Sequence, residues 1–169
     1  MKAISLWQPW ATLVALKLKT IETRNHSRFR ALAGKRIAIH AAQKWNQDGL
    51  LVSRLLDGRP LGHALPNIMN IDYWAMRCRG KIVCTATVND TMWAEDAAAN
   101  RNELECRALC DVEDKFLLFL GDIKPLAKPF PVRGRQGIFT VPDKLFADNG
   151  PRITPACAFP HADRDTVQL

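Results

Sequence analysis

The sequence predicts an α+β fold, a small mixed β-barrel with two or three peripheral helices, on three observations. Five to seven short stretches have strand patterning, and two or three stretches of helical period interleave with them. The chain has 169 residues, the size of one domain. Hydrophobic residues at 47% and charged residues at 24% are ordinary for a globular protein in water. A chain this long buries roughly two-thirds of its unfolded surface without disulfides or metal. The domain is expected over residues 1–146, with 147–169 a loosely ordered tail rich in Pro, Gly and Asp.

Taken in order, Met1–Leu6 reads as a strand. Pro9 suits a first helical position, where its missing N–H goes unused, and Trp10, Leu13, Val14 and Ala15 form a helical stripe that stops near Lys17. Lys19–Arg24 alternates and is β-branched, so it is expected to be extended, with Lys19, Ile21 and Thr23 on one face and Thr20, Glu22 and Arg24 on the other. Asn25–Ala33 reads as a basic loop, and Gly34 opens a strand that ends at His40. Ala42–Asp57 carries Trp45, Leu50, Leu51, Leu55 and Leu56 at helical spacing. Gly58–Asn70 is loop-like, and Asp72–Met76 is too short to assign. Gly80–Val88 is the clearest strand, Glu95–Cys110 a helix and Phe116–Leu120 a buried strand. Pro125 and Pro129 punctuate the residues after that strand, before a last extended stretch over Gly134–Val141.

Charge is the unusual quantity. The net charge is +7, and up to Cys84 there are 14 basic against 4 acidic residues, a local net of +10. From Thr85 onward the balance is 10 basic to 13 acidic, a net of −3. The densest basic stretch, Lys17–Arg36, sets Lys17, Lys19, Arg24, Arg28, Arg30, Lys35 and Arg36 against Glu22 alone. Such a surface attracts polyanions, nucleic acid first and acidic membrane second; a solvated face is the plainer reading.

Several classes fit poorly. The longest relevant apolar run, Phe116–Leu120, is far short of the ~18–20 residues of a membrane span. A single Lys2 and the break at Gln8-Pro9 do not make a signal peptide. Five cysteines at irregular spacing predict reduced thiols in a cytoplasmic protein, not a disulfide framework. Cys106 and Cys110 share a helix face without a second pair at ligand spacing, so no metal and no cofactor are expected. Asp111, Glu113 and Asp114 read as a charged helix end rather than a divalent-ion site.

The segment with most chemistry is Ser5-Leu6-Trp7-Gln8-Pro9-Trp10-Ala11, followed by Lys19-x-x-Glu22-x-Arg24. Trp7 and Trp10 are read either as core aromatics or as a plane on which a base stacks, with Lys19 and Arg24 meeting phosphate or base oxygens. Glu22 and Arg24 alone would be a surface ion pair worth about 0–1 kcal/mol. In these blocks the chain resembles the ASCH domain, a family of the PUA-like β-barrel superfamily. The resemblance continues in Gly34–His40, Gly80–Val88 and Gly134-Arg135-Gln136-Gly137-Ile138-Phe139, in the family's order over most of residues 1–141. Two positions depart from it: Ala15-Leu16-Lys17-Leu18 lacks the glycine the family usually carries before its lysine, and Phe139 replaces a frequent tryptophan.

The resemblance implies a cleft between the strands and the N-terminal helix that recognises RNA or a modified nucleoside. Lys19, Glu22 and Arg24 would line it, Trp7, Gln8 and Trp10 would form its wall, and His40 would join them unless it is a hydrogen-bonded core residue. The nucleic-acid rim would consist of Lys17, Arg28, Arg30, Lys35 and Arg36 with Arg133, Arg135 and Gln136. The expected function is thus an RNA- or nucleotide-binding module for an unpaired or modified base, with single-stranded RNA favoured because an unstacked base can enter a pocket. The alternative is a hydrolase acting on RNA or on acylated cytidine, with Lys19 and Glu22 catalytic. Amidohydrolases of the family use a lysine, a threonine three residues later and a distant glutamate; here Glu22 stands in the threonine's place, and Glu95 is the candidate distant carboxylate. A protein-interaction module is the third reading.

Overall fold

The structure, a computed structural model, describes residues 1–45 and 68–149. Six strands, β1 (Lys2–Gln8), β2 (Ile21–Arg24), β3 (Arg36–Trp45), β4 (Lys81–Trp93), β5 (Phe116–Pro131) and β6 (Ile138–Thr140), form one mixed sheet in the order β2-β5-β4-β3-β1-β6. β1 runs parallel to β3, and every other neighbouring pair is antiparallel. Among the described residues there are four short α-helices, rather than two or three: α1 (Trp10–Ala15), α2 (Ile68–Arg77), α3 (Arg101–Ala108) and α4 (Lys144–Asn149). Two 3-10 turns cover Ser27–Leu32 and Ala94–Asp96.

The expected closed barrel is corrected. β2 and β6 end the strand order, and no ladder joins them. These edge strands have only four and three residues, and β6 stops pairing with β1 at Ile4. Ser5 therefore lies past the end of β6. A side chain spans the opening instead: Arg24 on β2 donates from Nη2 to the Ser5 carbonyl on β1 at 3.1 Å.

Strand alternation distributes β1 between two cores. Ile4 and Leu6 join Val14, Phe29, Ile39 and Phe116 on one side, whereas Ala3 joins Ile82, Phe130 and Phe139 on the other. Each such Leu, Ile or Phe contributes about 1.5–3 kcal/mol by leaving water. Five of six α1 residues are buried, which explains how a helix too short to persist alone survives here.

Elsewhere the periodicity misleads. β3 continues through Trp45, so Ala42–Trp45 is strand and not the start of a helix; its pairing of Trp45 with Gln8 on β1 overrides the spacing. The rest of that expected helix, and the loop through 67, lie outside the described residues. Asp72–Met76, unassigned from sequence, falls within α2. The helix expected over Glu95–Cys110 is shorter because Asn100 caps it, accepting the Glu103 N–H at 2.9 Å, and Leu109 ends it at φ 56°. β5 runs on through Pro125 and Pro129 because β2 pairs only with Phe116–Phe119, leaving one edge of β5 without a ladder to break. α4 crosses the expected boundary at 146, and residues from 150 onward lie outside the description. Among the described residues no helix is long and apolar enough to cross a membrane.

Candidate functional site

The opening between β2 and β1 is organised around Glu22. Its two carboxylate oxygens face different cations: Arg24 Nη2 lies 3.2 Å from Oε1, and Lys19 Nζ lies 3.7 Å from Oε2. Lys19 is only 2% exposed. It precedes β2, so strand alternation does not hold it on the face expected, and its side chain turns back toward Glu22. Its ammonium also donates to the Ala108 carbonyl at the end of α3 and sits 5.1 Å from the centroid of Trp10. A cation is favourable at a helix C-terminus, where unpaired carbonyls point outward. Lys19 thereby ties α1, β2 and α3 together.

Arg24 and Glu22 share a face, as the alternation predicts. The Arg24 guanidinium lies 4.7 Å from the Phe29 centroid, and its Nε is enclosed without an acceptor. An unmet buried donor costs about 1–3 kcal/mol. Two cations on one carboxylate leave the triplet with a net charge of +1.

The other wall is β1 and the loop between β5 and β6. His40, opposite Ser5 in the parallel register, is buried. Its Nδ1 lies 3.1 Å from Ser5 Oγ and its Nε2 lies 3.0 Å from the Val132 carbonyl. Ser5 Oγ also lies 3.0 Å from the Arg135 carbonyl. Burial holds the His40 pKa below 6.5, with the Val132 carbonyl it bonds, and the Gly80 backbone nearby, acting the other way. It is the hydrogen-bonded core histidine of the plainer reading, placed at the edge of the cleft.

Gln8 and Trp7 are not equivalent walls. Gln8 is fully buried, and its Oε1 accepts from the Thr12 N–H at 3.2 Å and the Thr12 hydroxyl at 3.1 Å, while its Nε2 donates to the Ala75 carbonyl at 2.9 Å. It caps α1 and fastens α2. Gln8→Ala strands all three partners and is expected to lower folding stability by about 2–3 kcal/mol, measured as a lower urea midpoint at unchanged m. Trp7 points to the opposite face of β1, is 46% exposed and carries Lys44 Nζ 4.0 Å from its centroid.

Among the rim residues, Arg28, Lys35, Arg133, Arg135 and Gln136 are exposed, and none of the four cations has an acidic partner among the described residues. Arg30 stands over the Phe116 ring at 5.8 Å. Arg36 is drawn away: it bonds Thr85 at 2.9 Å and pairs with Asp122 on β5. Lys17 is exposed at φ 62°, so the left-handed turn that the missing glycine would ease is made by a lysine.

The acidic segment is self-contained. Arg101 bonds Glu105 and Asp111 at 2.8 Å each and Glu113 at 3.0 Å, and Arg107 pairs with Glu103 at 3.6 Å. Among the described residues, none of these carboxylates pairs with the Lys17–Arg36 stretch. Glu95 lines a hollow of about 300 Å³ with Arg101, Leu104 and Glu113, and Lys19 is not part of that lining. The roles of Ser5 and of the Ala108 carbonyl are not evident from sequence; only the placement of Ser5 in the first motif hints at the former.

An open six-stranded sheet with helices packed against it, whose edge strand β2 reaches β1 through a side chain, is an α+β arrangement. No protein-family model matches the chain, and no curated protein does. Solved structures do. An ASCH protein from Zymomonas mobilis is 14% identical over 88% of this chain and 95% of that one, with a TM-score of 0.47. Its tyrosine-to-phenylalanine variant gives 16% identity over 88% and 98%, with a TM-score of 0.50. Its serine-to-alanine variant gives 16% identity over 88% and 96%, with a TM-score of 0.48. At such identity the likeness is one of fold, and the fold is that of an ASCH-type domain.

Proposed function

We propose that this domain binds single-stranded RNA or a nucleotide, taking one unpaired or modified base into the opening between β2 and β1 while phosphates lie along the surrounding cations. The observation that carries this reading is the Lys19–Glu22–Arg24 triplet, which has surplus positive charge, together with the exposed cations that lack acidic partners among the described residues. Arg24 would donate from its guanidinium to a base carbonyl or phosphate oxygen, and Glu22 would accept from an exocyclic amine. Single-stranded RNA suits an opening of this kind because its bases are already unstacked.

The hydrolase reading gains no support from the triplet. A lysine acting as general base needs a free lone pair within reach of substrate, whereas the Lys19 amine is buried and engaged by Ala108, Glu22 and Trp10. Binding of a labelled single-stranded RNA, measured over a range of salt, tests the proposal. Release of counterions from about four phosphates gives a log–log slope of roughly −3. A slope near zero, or equal affinity for duplex and single strand, would contradict it.

A further inference from the structure

Ser5 is the joint between the two walls of the opening. Its carbonyl takes Arg24, and its hydroxyl lies between His40 Nδ1 and the Arg135 carbonyl. A carbonyl only accepts, so the contact of His40 Nε2 with Val132 O requires a proton on Nε2. In the neutral imidazole Nδ1 is then an acceptor. Ser5 has one hydroxyl proton and two acceptors, His40 Nδ1 and Arg135 O, so one of them goes without it. In the imidazolium, Nδ1–H donates to Ser5 Oγ, the Ser5 hydroxyl donates to Arg135 O, and every member is satisfied.

We infer that Ser5 and His40 form a proton-controlled latch on the 133–136 loop: protonating His40 commits the Ser5 hydroxyl to the Arg135 carbonyl and fixes the loop's cations beside Arg24. The loop is built for close control. A Cβ on Gly134 would stand 2.2 Å from His40 Cε1, so the backbone lies directly against the imidazole. Phe139 on β6 meets the same ring edge-on at 5.9 Å.

The charged residues carried by the elements packed against His40 are mostly cations. Arg24 lies across Ser5, Lys81 follows Gly80 and adjoins Ile82, the β4 partner of His40, and Arg133 and Arg135 ride on the covering loop. Arg79 precedes Gly80 and bonds Gln43 on His40's own strand. The carboxylate of this group, Glu22, is already shared by Lys19 and Arg24. Burial keeps the ring neutral at pH 7, so the latch engages as the solution becomes acidic. An anion that binds the loop better in its engaged arrangement would raise the fraction engaged, and by reciprocity acidification would tighten anion binding through the Ser5 hydroxyl.

The consequence for binding rests on the RNA reading above; the latch itself does not. An NMR titration of the free protein from pH 8 to pH 5 follows the His40 ring together with the amides of Gly134, Arg135 and Gly137. The loop amides should shift with the same midpoint as the ring, below 6.5, and Ser5→Ala should uncouple them while the ring still titrates. Loop amides that ignore the His40 titration would overturn the latch whether or not RNA binds. In parallel, affinity for a labelled single-stranded oligouridylate should rise roughly 3- to 10-fold over this range, the equivalent of one hydrogen bond. That rise should be absent in Ser5→Ala, which keeps the imidazolium charge. Coupled loop shifts without any RNA binding would leave the latch standing and remove the RNA reading instead.

Discussion

Glu22→Ala is expected to destabilise the fold by about 3–5 kcal/mol, the usual result of removing one partner from a buried ion pair. Lys19 is 2% exposed and reaches no other carboxylate among the described residues, so its charge would be left facing that of Arg24 across a cavity. The loss comes from stranding two cations more than from the worth of the pair. Lys19→Met therefore discriminates: it fills much of the same space, leaves Glu22 with Arg24, and is expected to cost far less. Urea unfolding of both variants reads the difference. Equal, small losses would mean that water reaches the triplet and screens it.

Arg24→Lys is expected to weaken single-stranded RNA binding about 10- to 100-fold, corresponding to about 1–3 kcal/mol for the loss of a forked contact to a base or phosphate. The guanidinium reaches Glu22 and the Ser5 carbonyl through Nη2 while lying over Phe29. A single ammonium has neither the planarity nor the span. Because the total charge is unchanged, the salt slope should stay near that of the native protein. A fall in slope with little fall in affinity would make Arg24 a point charge and nothing more.

The sequence carries most of this site, and physical reasons account for the parts it hides. Glu22 and Arg24 share a strand face, and two-residue spacing alone is enough to place them together. Alternation puts Lys19 on the wrong face because it precedes the strand, and its anchor, the Ala108 carbonyl, is 89 residues away. Gln8 resembles part of a binding motif because an amide beside tryptophans suits a base; its work as a cap depends on where Thr12 and Ala75 fall in space. β1 and β4 as far as Val88 are legible in the sequence, although β4 runs on to Trp93, whereas β3 beyond His40 is hidden by helical spacing that strand pairing overrides. Closure of the sheet is not legible at all. It depends on whether β2 and β6 find each other, and two very short edge strands carry no pattern that decides it. The charge division is plain from residue counts, but only the ion pairs among the described residues reveal that the acidic segment neutralises its own arginines and leaves part of the basic surface open.

The most direct measurement is amide chemical-shift mapping with a short single-stranded RNA. The largest changes are expected on Lys19, Glu22, Arg24, Ser5 and the 133–136 loop, with smaller ones at Arg28 and Lys35, and duplex RNA of the same length should reproduce only the smaller set. Changes confined to the exposed cations, or centred on the Glu95 hollow, with the triplet silent, would contradict a base-binding opening between β2 and β1.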